Sequence, residues 1–180
     1  MATIPPTQSF LSGEKVTAAK LTAATKTPLD FLMNPPRVNV NSTSTIAVPT
    51  GTSVLIPFDG EQWDTDSMHS TSVNPSRITI NTPGQYLVSM YARYQVHATG
   101  YRQLNLRLNS GGSSSAGSTL TTINIPAVSG SSTFITRTFE MTCNAGDHYE
   151  LFTLQTSGAS LNLDSGARVT GMEFRWLGTT

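Results

Sequence analysis

The densest group of ionisable side chains lies between residues 59 and 69 and consists of Asp59, Glu61, Asp64, Asp66 and His69. Clustered carboxylates at loop spacing suit a hard cation such as Ca²⁺, and a pair of carboxylates could also catalyse glycoside hydrolysis. The third interpretation is a solvated connection whose acidic side chains hydrogen-bond to nearby backbone amides. The spacing does not match an EF-hand loop, since no Gly occupies the sixth position with Glu at the twelfth. We therefore expect a structural connection and keep a Ca²⁺ patch as an alternative.

The remaining reactive residue types show no catalytic pattern. His69, His97 and His148 lack metal-ligand spacing, and no orienting base stands beside the hydroxyls of residues 113–115. Cys143 lies in an alternating apolar run and is expected to be a small buried side chain. There is neither a G-x-S-x-G elbow nor a phosphate-binding Gly loop. The sequence therefore predicts a protein that is not an enzyme and that has no metal or other cofactor.

The elements that would position these residues are strands. Apolar and polar side chains alternate over residues 86–96 and again over 104–108, which indicates a sheet with one buried and one exposed face. From residue 37 onward the pattern predicts β structure throughout. The predicted strands cover residues 37–42, 45–48, 52–58, 76–81, 84–97, 102–109, 119–125, 132–142, 148–156, 160–163 and 167–177. Short strands separated by Gly, Pro, Asn and Ser turns favour an all-β, two-sheet jelly-roll sandwich, and residues 110–118 read as a flexible exposed loop.

Residues 1–36 differ from the β region and form a short, partly helical extension. A helix is predicted over residues 17–26 with Thr17 as its N-cap, and a second helix is predicted to begin with Thr27 as cap and Pro28 in first position. Residues 34–36 (Asn-Pro-Pro) would end it. Such short helices are marginal alone in water, so their apolar residues need a surface to pack on. These residues are Val16, Leu21, Leu29, Phe31 and Leu32.

Composition limits the possible partners. Lys and Arg balance Asp and Glu, so the net charge is zero, and only 12% of residues are charged. Nucleic-acid binding through phosphate contacts is therefore not expected. The single cysteine excludes an intramolecular disulfide. The N-terminal sequence has neither the basic nor the apolar region of a secretion signal, and no apolar run is long enough to span a membrane.

Six short elements, in this order and spacing, resemble the C1q/TNF-like jelly-roll family, in particular its phage-borne members. They are Phe58-Asp59, Trp63-Asp64-Thr65, Met68-His69, Ser76-Arg77-Ile78-Thr79, Pro83-Gly84-Gln85-Tyr86-Leu87-Val88 and Met172-Glu173-Phe174-Arg175-Trp176. With the strands between them they cover about residues 37–177. The chain departs from the secreted animal members, because it has no collagen-like Gly-X-Y run and no cysteine pairs.

The resemblance implies a homotrimer packed around a threefold axis that the last strand and its neighbours would line. The candidate interface residues are Met172, Phe174, Trp176, Tyr149 and Phe152. Residues 12–21 also resemble the N-terminal segment of phage tail and fibre proteins, which implies that residues 1–36 are a virion-attachment segment in front of the jelly-roll domain at 37–180.

These expectations lead to a bacteriophage virion structural protein, assembled in the host cytoplasm and exposed on the particle surface. A minor tail or tail-tip position would give a role in host adsorption, while a capsid position would make it a decoration protein or head fibre. Its partners would be its own copies and other virion proteins. The alternative is a carbohydrate-binding adhesin module that binds a host surface glycan, with Trp63, Asp64 and Asp66 as the candidate patch.

Overall fold

The computed structural model describes residues 2–179, and within them the chain forms two short helices followed by twelve strands. The helices are α1 (Ala18–Ala24) and α2 (Lys26–Met33). The strands are β1 (Arg37–Asn41), β2 (Ile46–Val48), β3 (Val54–Leu55), β4 (Gly60–Asp64), β5 (Arg77–Thr79), β6 (Gly84–Tyr94), β7 (Tyr101–Leu108), β8 (Ser118–Pro126), β9 (Thr133–Cys143), β10 (His148–Gln155), β11 (Leu161–Leu163) and β12 (Gly171–Gly178).

The strands make two antiparallel sheets. In the seven-stranded sheet, β9 pairs with one side of β6, and β12 and β11 pair with its other side. Beyond β12 lie β1 and then β4, and beyond β11 lies β2. In the five-stranded sheet the order is β3-β10-β7-β8, and β5 also pairs with β10. This arrangement confirms the predicted all-β, two-sheet jelly roll with a short, partly helical N-terminal extension.

The core lies between the two sheets and follows the predicted alternation. Every second residue of β6, from Tyr86 to Tyr94, is fully buried, and Leu104 and Leu106 of β7 face them from the other sheet. Tyr149 packs against Phe174 with 5.0 Å between ring centroids. Each fully buried side chain of this size contributes roughly 1.5–3 kcal/mol to folding, so the interleaved faces of the sheets supply most of the stability.

The first helix confirms its predicted cap. Thr17 has extended backbone angles, and its hydroxyl accepts a hydrogen bond from the Lys20 amide at 3.2 Å. The second helix begins earlier than predicted, at Lys26, with Thr25 in the capping position and no side-chain cap. The prediction that Thr27 caps this helix is therefore wrong: α2 follows α1 almost directly, and Pro28 lies within its first turn, where a proline needs no amide partner.

The structure also corrects the assignment of residues 60–64 to a connection. They form β4, an edge strand that pairs with β1 through a register shift next to Asn39. An edge strand is exposed to solvent, so its Glu, Gln and Asp side chains give no apolar alternation from which to recognise it. The acidic residues at 59–66 therefore lie on and beside β4, and the strand fixes the directions of their side chains.

Candidate functional site

The acidic side chains at 59–66 do not converge on one point. Among residues 2–179, no three His, Cys, Asp or Glu side chains come close enough to hold a metal ion. The Asp59 carboxylate accepts hydrogen bonds from the hydroxyl and the amide of Thr43, each at 2.6 Å, and these bonds lower the pKa of Asp59. Glu61 instead faces the Nδ1 atom of His69 at 3.2 Å. The arrangement therefore gives no support to the Ca²⁺ alternative.

The other two carboxylates brace the segment that follows β4. Asp64 accepts hydrogen bonds from the amides of Asp66 and His69, at 3.1 and 2.8 Å. Asp66 is buried and accepts a hydrogen bond from the Ala2 amide. The Asp66-to-Asp64 bond is of the Asx type, and the three bonds together suit the structural connection that was the leading interpretation of the sequence.

Trp63, the aromatic residue of the candidate sugar patch, is only partly exposed. The Arg37 guanidinium lies over its indole ring at 5.6 Å from the ring centroid, and the indole Nε1 is buried. Sugar binding by an aromatic side chain needs an open ring face, and Arg37 occupies one face of Trp63. Arg37 and the burial of Nε1 therefore reduce the part of Trp63 that a sugar could contact beside Asp64.

Two of the histidines, His69 and His97, have structural partners, and the cysteine is buried. His69 Nε2 lies 3.0 Å from the Pro75 carbonyl oxygen, and His97 Nδ1 accepts a hydrogen bond from the Thr99 amide. Cys143 is fully buried, and burial raises the pKa of its thiol to about 11, which leaves it protonated near neutral pH. No helix in residues 2–179 has the length and hydropathy needed to cross a membrane.

The five side chains predicted to line a threefold axis lie inside the protomer instead. They are Met172, Phe174, Tyr149, Phe152 and Trp176, and none is more than 8% exposed. For the three β12 residues the cause is the central position of that strand, which pairs with β1 and β6 and turns its apolar side chains toward the other sheet. Tyr149 enters the same core from β10, whereas Phe152 is buried outside it. The prediction therefore confused the core with an interface, and a second copy of the chain would contact other residues.

The structure places a better candidate for self-association at one lateral edge of the sandwich. Within the described residues, β8 pairs only with β7 and β9 only with β6, so two long strands each leave one backbone edge unpaired. Four partly buried apolar side chains lie along these two strands and pack against the core: Ile123 and Ile125 from β8, and Phe139 and Met141 from β9. We call these two strands and their apolar side chains the open edge.

The open edge carries few of the features that keep natural sheet edges apart. Strand β8 has no charged residue along its nine positions, and its proline stands at the last of them. Leu120 and Phe134 are also exposed nearby, by 37% and 47%. On β9, the guanidinium of Arg137 lies over the Phe139 ring at 5.5 Å. Long, uncharged edge strands promote pairing with another chain unless something covers them.

A second apolar surface lies in residues 2–36, the leader. Four of the five predicted anchor residues are more than half or about half exposed: Val16 (50%), Leu21 (52%), Leu29 (57%) and Leu32 (62%). Phe10, Leu11 and Met33 are exposed as well. Phe31, the fifth predicted anchor, is partly buried and packs edge-on against Trp176. The structure thus leaves four of the five predicted anchors exposed and packs the fifth, Phe31, on the sandwich.

The leader is attached to the sandwich at two places. Near its beginning, the Ala2 carbonyl accepts a hydrogen bond from the Thr82 hydroxyl at 2.8 Å, and Ile4 packs against the core. At its end, Phe31 contacts Trp176, and the Trp176 amide donates to the Pro36 carbonyl at 2.9 Å. Between these points α1 and α2 pack on each other with no buried residue. The two attachments therefore fix the leader to the sandwich and leave the apolar side chains between them exposed.

Comparison with solved structures agrees with the architecture. The chain is similar to the globular domain of zebrafish complement 1qA (TM-score 0.54, 14% identity, 81% of this chain and 99% of that one). It is also similar to Eiger TNF from S. frugiperda (0.58, 15%, 81% and 94%) and to murine APRIL (0.61, 10%, 79% and 98%). No protein-family model and no curated protein matches the sequence. These similarities establish a C1q/TNF-like jelly-roll fold.

Proposed function

We propose that the chain is a bacteriophage virion structural protein with a trimeric β-sandwich head and an N-terminal segment that binds the particle. The observation that carries this proposal is the leader, whose apolar side chains remain exposed although both of its ends are fixed to the sandwich. An apolar surface held in place on a folded domain is a feature of interaction sites. The resemblance of residues 12–21 to tail and fibre proteins supports another virion protein as the partner.

The leader is well suited to dock by burial of apolar surface. Docking of a fixed segment has a smaller conformational-entropy cost than docking of a disordered one. Leu21, Leu29 and Leu32 are each more than half exposed, so each can still transfer much of its surface out of water. The resemblance favours a minor tail or tail-tip position with a role in host adsorption over a capsid position as decoration protein or head fibre.

Self-association belongs to the same proposal, and the open edge supports it. Two neighbouring edge strands with unpaired backbone and half-buried Ile, Phe and Met side chains suit contact with a second copy. In a homotrimer each open edge would pack on the next copy around a threefold axis. A closed ring then leaves no open edge free to bind further copies.

Incorporation into phage particles tests the proposal. Leu21→Ser together with Leu29→Ser removes two exposed apolar side chains without touching the core. Loss of about 3 kcal/mol of burial would weaken docking about 100-fold. In a phage that lacks its own copy of the gene, we expect the variant to be nearly absent from purified particles, measured by immunoblot.

The matched control, Val96→Ser with Leu177→Ser, removes equally exposed side chains outside the leader. Normal incorporation of the leader variant would overturn the attachment proposal.

A further inference from the structure

A polar cavity of about 260 Å³ lies at the edge of the five-stranded sheet, where the segment between β4 and β5 folds beside β5. Its polar lining comes from Ser67, Ser70, Asn74, Arg77, Thr79 and Asn81. Pockets for drug-sized ligands occupy roughly 300–1,000 Å³, so this cavity fits a ligand of about one ring. The comparisons and the sequence resemblance assign it no role.

Hydrogen bonds to the surrounding protein fix the residues that line the cavity. The Asn81 side-chain amide donates to the carbonyls of Asp66 and Ser67, at 2.8 and 2.9 Å. His69 is held through both ring nitrogens, by Glu61 and by the Pro75 carbonyl. The Thr79 amide donates to the Met68 carbonyl at 2.7 Å. A ligand would therefore meet a preformed surface, which lowers the entropic cost of binding.

Backbone strain is concentrated at this cavity. Four non-glycine residues among those described have positive φ, and two of them, Ser67 (φ 53°) and Asn74 (φ 52°), line it. The left-handed region costs an ordinary residue about 1–2 kcal/mol, although Asn tolerates it better than most. Strained residues persist where the surrounding structure holds them, and they cluster at ligand-binding sites. Here the strain turns Ser67 and Asn74 toward the same small volume as Asn81.

The charge in the cavity is balanced. Arg77 is the one arginine or lysine in the lining, and its Nη2 lies 3.3 Å from the buried Glu150 carboxylate. Its side chain is 25% exposed, so Arg77 can still meet a ligand beside this ion pair. No carboxylate lines the cavity. The site therefore offers hydroxyl, amide and guanidinium groups with little net charge, which disfavours a phosphate dianion.

We propose that this cavity binds one neutral sugar residue of a surface glycan. Hydroxyl and amide groups match the donors and acceptors of sugar hydroxyls, since each can donate and accept. The exposed Val73 supplies apolar surface for the C–H face of the ring. The inference replaces the Trp63 patch as the carbohydrate site, and it does not depend on particle attachment, because the leader does not line the cavity.

The test is a titration of the full-length protein with methyl glycosides of glucose, galactose, mannose and N-acetylglucosamine, followed by backbone amide NMR shifts. At least one glycoside is expected to bind in the millimolar range and to shift the amides of Ser67, Ser70, Asn74 and Asn81. Val73→Trp would fill the mouth of the cavity and abolish the shifts. Ser72→Trp, at a neighbouring exposed position outside the lining, would retain them.

A second variant separates binding from folding. Asn74→Gly keeps the positive φ but removes the side-chain amide, and we expect at least about fivefold weaker binding with an unchanged melting temperature. Three outcomes would overturn the proposal: no glycoside shifts these amides, the shifts survive Val73→Trp, or methyl glucuronide or inorganic phosphate binds more tightly than every neutral glycoside. The last outcome would show that the cavity selects charge.

Discussion

Phe31 of α2 and Trp176 of β12 meet edge to face, with 5.0 Å between ring centroids and 88° between ring planes. This geometry places the positive edge of one ring against the negative face of the other. Trp176 is fixed in turn, because its indole Nε1 donates to the Pro83 carbonyl at 3.2 Å. A Cβ at Gly84 would lie only 2.3 Å from that Nε1 atom, so this position requires glycine. The contact joins the leader to the last strand of the sandwich.

Phe31→Ala is expected to lower the free energy of unfolding by about 2 kcal/mol. The ring is partly buried, and truncation removes both its burial and the aromatic contact. Urea unfolding followed by tryptophan fluorescence measures the change. Leu32→Ala is the matched control, because Leu32 is 62% exposed and should change stability by less than about 0.5 kcal/mol. Equal effects at both positions would mean that α2 does not rest on Trp176 in solution.

The fold could be predicted because its signal is local. Alternation along 86–94 and 104–108 follows directly from the pleat of a strand, and turn residues mark the ends. The same reasoning failed at 60–64, where an edge strand carries polar side chains on both faces. The prediction of Thr27 as the cap of α2 was wrong for another reason. The residue that takes the N-cap position depends on where α1 ends, and α1 ends directly before Thr25.

The residues of the open edge could not be distinguished from the core in the sequence for a physical reason. Phe174 on a central strand and Phe139 on an edge strand both belong to alternating apolar runs, and only the sheet order shows which one reaches the surface. The proposed sugar cavity could not be predicted from the sequence either, because Asn81 and Ser67 lie fourteen residues apart and meet only through a hydrogen bond in the folded chain. The absence of charge from 118–126 was the one sequence signal that could have indicated the open edge.

Positive charge on β8 should break the assembly. Thr122→Lys with Asn124→Lys places two lysines per copy on an exposed, uncharged edge strand, where lysine opposes strand pairing. Sedimentation equilibrium at micromolar concentration should give a trimer for the natural sequence and a monomer for this variant. Ser114→Lys with Ser115→Lys adds the same charge in the exposed loop before β8 and should leave the trimer intact. A monomeric natural protein, or a trimeric β8 variant, would contradict assembly through the open edge.

The loop at residues 110–118 is tied down by a buried carboxylate. Glu150 is 1% exposed and accepts hydrogen bonds from the Ser110 hydroxyl and from the Gly112 amide at 2.8 Å, beside Arg77. Burial raises the pKa of Glu150, but these hydrogen bonds and the Arg77 charge outweigh burial and leave the pKa below its usual value. The first turn of the predicted flexible loop is therefore part of the folded structure.

Glu150→Gln should lower the free energy of unfolding at neutral pH by about 2 kcal/mol, since it removes the charge that strengthens the hydrogen bonds from Ser110 and Gly112 and that pairs with the partly exposed Arg77. A carboxyl with a lowered folded pKa stabilises the protein above its unfolded pKa, about 4.5, and this contribution is lost as pH falls through the folded pKa. Urea unfolding from neutral pH to about pH 3 should therefore show the difference between natural and variant proteins shrinking in acid. Glu140→Gln, at an exposed position, serves as the control. A difference that stays constant below pH 4.5 would contradict this account of Glu150.

Cys143 should resist alkylation until the protein unfolds. Its thiol is fully buried at the end of β9, and burial raises its pKa from 9.0 to about 11. A shift of two pK units reduces the thiolate fraction about 100-fold near pH 8, and the thiolate is the species that reacts. Iodoacetamide labelling followed by mass spectrometry should therefore be at least about 100-fold slower for Cys143 than for an exposed cysteine introduced as Ser72→Cys. The two rates should become similar in concentrated guanidinium. Rapid labelling of Cys143 in the folded protein would show that the sandwich opens between β9 and the facing sheet.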